Sequence, residues 1–111
     1  MSAFRVTLAT LWTVLAAYTT IVIWHHGIGL FPIFFGNIAA LTWPGQFNLD
    51  FLCFLTLSAL WTAWRADFSG IGICLALIAF VGGAGFLLPY LLWLIAREKG
   101  DIRRVVLGRK A

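Results

Sequence analysis

Between Val6 and Ala96 the chain carries only three formal charges, Asp50, Arg65 and Asp67. That stretch decides what the chain can become. Backbone N–H and C=O groups have no partner in hydrocarbon, so an uncharged run that enters a bilayer must pair its backbone within itself, as a helix does. Composition agrees: 62% of the 111 residues are hydrophobic and 11% are charged, with mean hydropathy +0.97. A soluble domain averages about half and about a quarter. The expectation is an all-α, membrane-embedded fold in one transmembrane domain, residues 1–111, with no separate soluble module.

Three spans are predicted, at about 4–24, 47–65 and 70–96. The first reaches about 31 Å at helical rise, enough to cross a hydrocarbon core. It has no small-residue cleavage site after a short apolar core, so it reads as a retained helix and not as a signal peptide. "HHGIG" at 25–29 ends it. The apolar segment 28–46 is interrupted by Pro32, Gly36, Asn37, Pro44 and Gly45, which suits a re-entrant or interfacial helix better than a span. "RADFSG" is the turn before the third span, which at about 40 Å exceeds what a bilayer needs. A basic tail, 97–111, follows.

Three spans put Arg5 and Arg65 on one side and the six remaining basic residues on the other. That bias predicts a cytoplasmic C-terminus and an outside N-terminus in a bacterial inner membrane. Four spans would divide the basic residues seven against one, so charge alone does not choose. Trp24, Trp43 and Trp93 would form one interfacial belt, and Trp61, Trp64 and Arg65 a second, stacked as a cation–π cluster. A basic tail beside a membrane segment points to anionic headgroups and away from nucleic acid.

One carboxylate stands inside the apolar pattern. Counting outward from a turn centred near 67–68, Asp50 faces Gly85, with eleven uncharged residues of the third span continuing beyond. That places the acid beneath the broken segment 28–46. It reads as a helix-start residue beside Asn48, as a buried acid with a protein donor, or as a catalytic or ion-binding carboxylate. A crevice of Asn37, Asn48, Asp50, Gly82, Gly83 and Gly85 could hold a ligand or ion. Gly72, Ala76, Ala79 and Gly83 form a small-residue stripe for close helix packing, and Gly85 with Pro89 should bend the third span or free a carbonyl.

Other constellations are incomplete. His25 and His26 point about 100° apart on a helix, and no third ligand stands at a recognisable spacing, so no metal or cofactor is expected. Cys53 and Cys74 lack metal or redox spacing and read as small apolar residues. Arg97–Glu98 and Lys99–Asp101 read as a solvated, lipid-facing tail. No phosphate loop and no serine–histidine–acid set is present.

The stretches "HGIGLFPIFFGNIAALTWPGQFNLDFL", "SALW" and "GGAGFLLPYLLWLIARE" together resemble a bacterial family of small integral membrane proteins of unassigned function. The shared layout is a first span, a broken apolar segment, an acid early in the second span, and a Gly…Pro third span ending in Arg-Glu. In layout the chain is also similar to a plant plastid family implicated in neoxanthin formation, which implies contact with an isoprenoid. Small multidrug transporters share the length but carry an acid in mid-first-span, where this chain has Trp12.

The functional expectation is a non-enzymatic subunit or assembly protein that packs through the glycine stripe against itself, as a homo-oligomer, or against a larger membrane complex. Two alternatives use Asp50: an enzyme or binder for isoprenoid, carotenoid or other lipid, with the acid as proton donor, and an oligomeric cation or proton transporter.

Overall fold

The computed structural model describes residues 2–111, and among them all regular structure is helical. The elements are α1 (Ser2–His26), α2 (Leu30–Ala39), α3 (Trp43–Arg65), α4 (Gly70–Gly82), α5 (Ala84–Arg97), α6 (Ile102–Leu107) and a closing 3-10 turn, Gly108–Lys110. Two helices, α1 and α3, are long and apolar enough to cross a membrane. The second begins at Trp43, four residues before the expected 47, because Pro44 lies in the first turn of α3. There its missing N–H costs nothing and its fixed φ suits a helix start.

The expected third span is not one helix. Gly83 takes φ 55°, ψ −137°, a conformation that side-chain-bearing residues rarely adopt. Its N–H closes α4 on the Ala79 carbonyl, and its own carbonyl opens α5 by accepting from the Leu87 N–H. Residues 70–97 therefore double back as a hairpin. Its arms, about 20 Å each, fall short of the roughly 30 Å of a hydrocarbon core.

Contacts fix the direction of both arms. At the base of α4, a Cβ on Gly72 would lie 2.7 Å from the Ala66 Cβ, and at the tip a Cβ on Gly83 would lie 2.9 Å from the Phe51 ring. The stripe Gly72, Ala76, Ala79, Gly83 is buried along its length and meets α3 of the same chain at both ends. Helix α5 then runs parallel to α3, with Tyr90 edge-on to Trp61 at 6.2 Å and Glu98 3.7 Å from the Arg65 guanidinium.

Helix α1 packs on α5 in the opposite direction. Leu8 joins a buried cluster with Leu88, Tyr90, Leu94, Ile95 and Val105, and Trp12 Nε1 donates to the Gly85 carbonyl at 3.2 Å. That carbonyl is available because Pro89, four residues on, has no N–H to bond it. Beyond Trp12, α1 continues to His26 with nearly every residue exposed.

Helix α2 covers the first turns of α3. Asn48 Nδ2 donates to the Phe34 carbonyl at 3.1 Å, and a Cβ at Gly45 would run into the Asn37 carbonyl. The α1 N-terminus, the 66–69 turn and the tail thus share one end of the molecule. The connections 27–29 and 40–42 occupy the other.

Gly45→Ala should lower unfolding stability in mild detergent by about 1–3 kcal/mol, since the new methyl meets backbone that cannot turn aside. Gly85→Ala, with no atom within 4 Å of its Cβ, should cost nothing and gain up to about 1 kcal/mol. Trp12→Phe should cost about 1–2 kcal/mol by leaving the Gly85 carbonyl unpaired. Denaturant unfolding of the three variants checks all of these.

Candidate functional site

Asp50 does not face Gly85. It lies on the outer side of α3, exposed, with Gln46 and Cys53 exposed one turn to either side. Both sit on its helical face by the i−4 and i+3 spacing. Phe47, Phe54 and Leu57 beside it are each more than half exposed. Among the described residues no side chain or backbone N–H donates to its carboxylate. The level expected for Asp50 is within a residue or two of the one observed, since Gly83 meets Phe51; what differs is the face, because α3 turns Phe51 and Leu55, not Asp50, toward α4. Gly83, not Gly85, faces α3, and its neighbours are Phe51 and Leu55.

The expected crevice residues are accordingly dispersed. Asn37 and Asn48 belong to the α2–α3 contact, Gly82 abuts the Phe86 Cβ, and Gly85 serves α1. What the fold builds instead is two apolar cavities on either side of Phe51 and Leu55. One, about 440 Å³, lies among α2, α3 and the end of α4, with Phe31, Phe34, Phe35, Phe47, Phe51 and Phe80 in its walls. The other, about 560 Å³, lies between α3 and α5. Its wall includes Ser58, whose buried Oγ has no hydrogen-bond partner. Ser58 and the six phenylalanines carry no sequence signal beyond apolar helix, which is why neither cavity was expected. No group of three His, Cys, Asp or Glu able to hold a metal ion occurs among the described residues.

The basic end is more ordered than a solvated tail. Asp101 caps α6, its Oδ1 accepting from the N–H groups of Arg103 and Arg104. The helix then folds back so that Val105 is 1% exposed. Arg65 holds it there: Nε donates to the Val105 carbonyl at 2.6 Å and Nη2 to the Arg104 carbonyl at 3.2 Å. Trp61 Nε1 adds a bond to the Val106 carbonyl.

Arg65 is thus not the cation of an aromatic stack. Those places are taken by Arg97, 5.1 Å from the Trp93 ring centre, and by Lys110, 4.5 Å from that of Trp64. Trp93 changes belts too. Through Tyr90 it stacks into the Trp61 group, leaving Trp24 and Trp43 at the far end, 86% and 74% exposed.

All eight Lys and Arg residues lie at the end that holds the tail, with Arg5 about one turn before Leu8. Four of them border a cleft of about 350 Å³ between α3, α5, α6 and the 3-10 turn. Arg65, Arg97, Arg104, Arg109 and Glu98 line it, together with Ser69 and Ile71 at the start of α4.

No known protein family matches this chain, and no curated protein or solved structure matches it either.

Lys110 closes the tail onto the 66–69 turn by bonding the Trp64 carbonyl at 2.5 Å and the Asp67 carboxylate. The hydrogen bond from Lys110, with the charges of Lys110 and Arg109, holds Asp67 below its ordinary pKa of 3.8. A carboxyl whose folded-state pKa is depressed stabilises the fold above its unfolded value and loses that contribution as pH falls through the folded one. Docking of residues 108–110 should therefore be constant above pH 3.8 and loosen only on further acidification. Asp67→Asn should loosen it at every pH. Hydrogen exchange of the 108–111 amides, measured against pH, checks both.

Proposed function

We propose that this is a small integral membrane protein that works, without catalysis, by packing against other membrane helices through the outer face of α3. The observation that carries this reading is Asp50, exposed and unpaired on an otherwise apolar helix. Ionisable groups at membrane depth face protein or a water-filled cavity, because lipid cannot solvate them. A carboxylate about 10 Å along a crossing helix and turned outward therefore implies a missing neighbour. The glycine stripe is occupied by α3 and leaves no free face, so the surface for assembly moves from α4 to α3.

Two further observations support the membrane setting. Val14, Tyr18 and Ile21 on α1 and Phe47, Phe54 and Leu57 on α3 are each more than half exposed, more large apolar surface than a protein in water ordinarily leaves open. With the 70–97 hairpin re-entrant, the basic residues divide eight against none, a stronger bias than either three or four spans allow. By the positive-inside rule, both ends of the chain then lie in the cytoplasm of a bacterial inner membrane.

A second reading, a binder for an isoprenoid or other long apolar ligand, draws support from the phenylalanine-walled cavity of about 440 Å³. Asp50 is not in that wall, so such a ligand would be held and not protonated.

Asp50→Leu should weaken the assembly about three- to thirtyfold, the worth of an interhelical hydrogen bond in a bilayer. Analytical ultracentrifugation in a mild detergent measures it, and an unchanged assembly size would remove the proposal's main support. In a background free of Cys53 and Cys74, single cysteines at Phe68 and Arg109 should react with an impermeant maleimide from the same, cytoplasmic side. A straight third span would put them on opposite sides.

A further inference from the structure

We propose that the arginine-lined cleft at the basic end is a binding site for the phosphate of an anionic phospholipid headgroup. This deepens the membrane reading above and rests on it. Four guanidiniums, Arg65, Arg97, Arg104 and Arg109, line the cleft with one carboxylate, Glu98. Arg65 and Glu98 pair with each other at 3.7 Å, their side chains only 11% and 20% exposed, and so they form its fixed wall. Arg65 is further committed to the carbonyls of Arg104 and Val105. That leaves three cations facing one cavity without a buried counter-charge.

Each of the three is available. Arg97 lies 5.1 Å from the Trp93 ring centre and its guanidinium has no hydrogen-bond or ion-pair partner among the described residues. Arg104 meets Asp101 only at 3.8 Å, with both side chains more than half exposed, a pairing of little worth in solvent. Arg109 makes no ion pair among the described residues. Three arginines lining one cavity suit the oxygens of a phosphate, which guanidinium binds through paired, charge-assisted hydrogen bonds.

The α4 side of the cleft favours the same charge. It includes Ser69 and Ile71 at the start of α4, where Ser69 Oγ accepts from the Gly72 N–H. The N–H groups of the first turn and the helix dipole there favour an anion. A soluble phosphate would use only these polar groups. A lipid uses more, because Ile71, 75% exposed, and Trp93 offer apolar surface beside the cleft for the acyl chains.

The purified full-length protein in neutral detergent is titrated with short-chain phosphatidylglycerol, phosphatidylcholine and inorganic phosphate, and binding is read by native mass spectrometry. Phosphatidylglycerol should bind at least about tenfold tighter than phosphatidylcholine, and inorganic phosphate should fail to displace it. Two double variants, each removing two charges from the same end, separate a site from a diffuse field. Arg97→Gln/Arg109→Gln should cost about tenfold more affinity than Arg5→Gln/Arg103→Gln, the worth of direct guanidinium–phosphate bonds. Equal losses from the two pairs, or equal binding of the two lipids, would overturn the proposal. Displacement by inorganic phosphate would assign the cleft to a soluble anion and overturn the lipid. Resistance of the cell-derived protein to carbonate extraction is measured in parallel. A protein extracted by carbonate refutes the membrane reading itself, whereas a resistant protein indifferent to lipid charge refutes this inference alone.

Discussion

One residue's backbone angle organises the molecule. Gly83, with positive φ, turns an apolar run long enough to cross a bilayer into two half-length arms. Everything at the basic end follows from that reversal. It brings Glu98 to Arg65 and Trp93 into the Trp61–Tyr90 group, and it lets α6 lie across the end of α3. A straight helix of the same residues would carry Arg97 about 40 Å from Gly70 and leave Arg65 without Glu98 and without the tail carbonyls it bonds.

The reversal also creates a demand that the rest of the chain meets. Breaking a helix exposes carbonyls at one end and N–H groups at the other. Gly83 answers part of this by serving as the last cap of α4 and the first of α5. Pro89 adds another orphan, the Gly85 carbonyl, and Trp12 satisfies it from α1. Helix α1 is therefore tied to the hairpin at the level of its tip and along its outer arm, and beyond that level nothing of α4 or α5 remains to pack on. The long bare stretch of α1 from Thr13 to His26 is a consequence of how deep the hairpin reaches.

Much of this is legible in the residues, and the departures have separate causes. The long apolar helices at 4–24 and 47–65, the broken character of 28–46 and the carbonyl freed by Pro89 all rest on local rules, so they appear close to where the residues predict them. Hydropathy through 70–96 is the same for a crossing helix and for two half-helices folded together. "VGGAG" held the signal, but two adjacent glycines fit a packing stripe as well as a turn, and only the neighbours of Gly83 separate them. A straight helix there puts Trp93 in the belt of Trp24 and Trp43 and the tail away from Arg65, whereas the outward turn of Asp50 comes from the face of α3 that Phe51 and Leu55 present to Gly83. The cleft was hidden for another reason. A charge run reads as solvated until something is seen to hold it, and Arg65 and Val105 hold this one from positions about forty residues apart.

The two ends now divide the chemistry in a way that bears on what α3 can meet. Asp50 lies about 22 Å from Arg65 along α3, and every other Lys and Arg lies at the Arg65 end or beyond. A second copy inserted in the same orientation therefore brings no cation to the level of Asp50. Across a two-fold axis along α3 it brings another Asp50, with Gln46 and Cys53 one turn away. There the donors nearest each Asp50 would be the Gln46 carboxamides, one turn away. A different subunit faces no such restriction, since a lysine, arginine or histidine in mid-helix would pair with Asp50 directly. A second copy of this chain can thus answer Asp50 only with amide donors, whereas a different subunit can answer it with a cation.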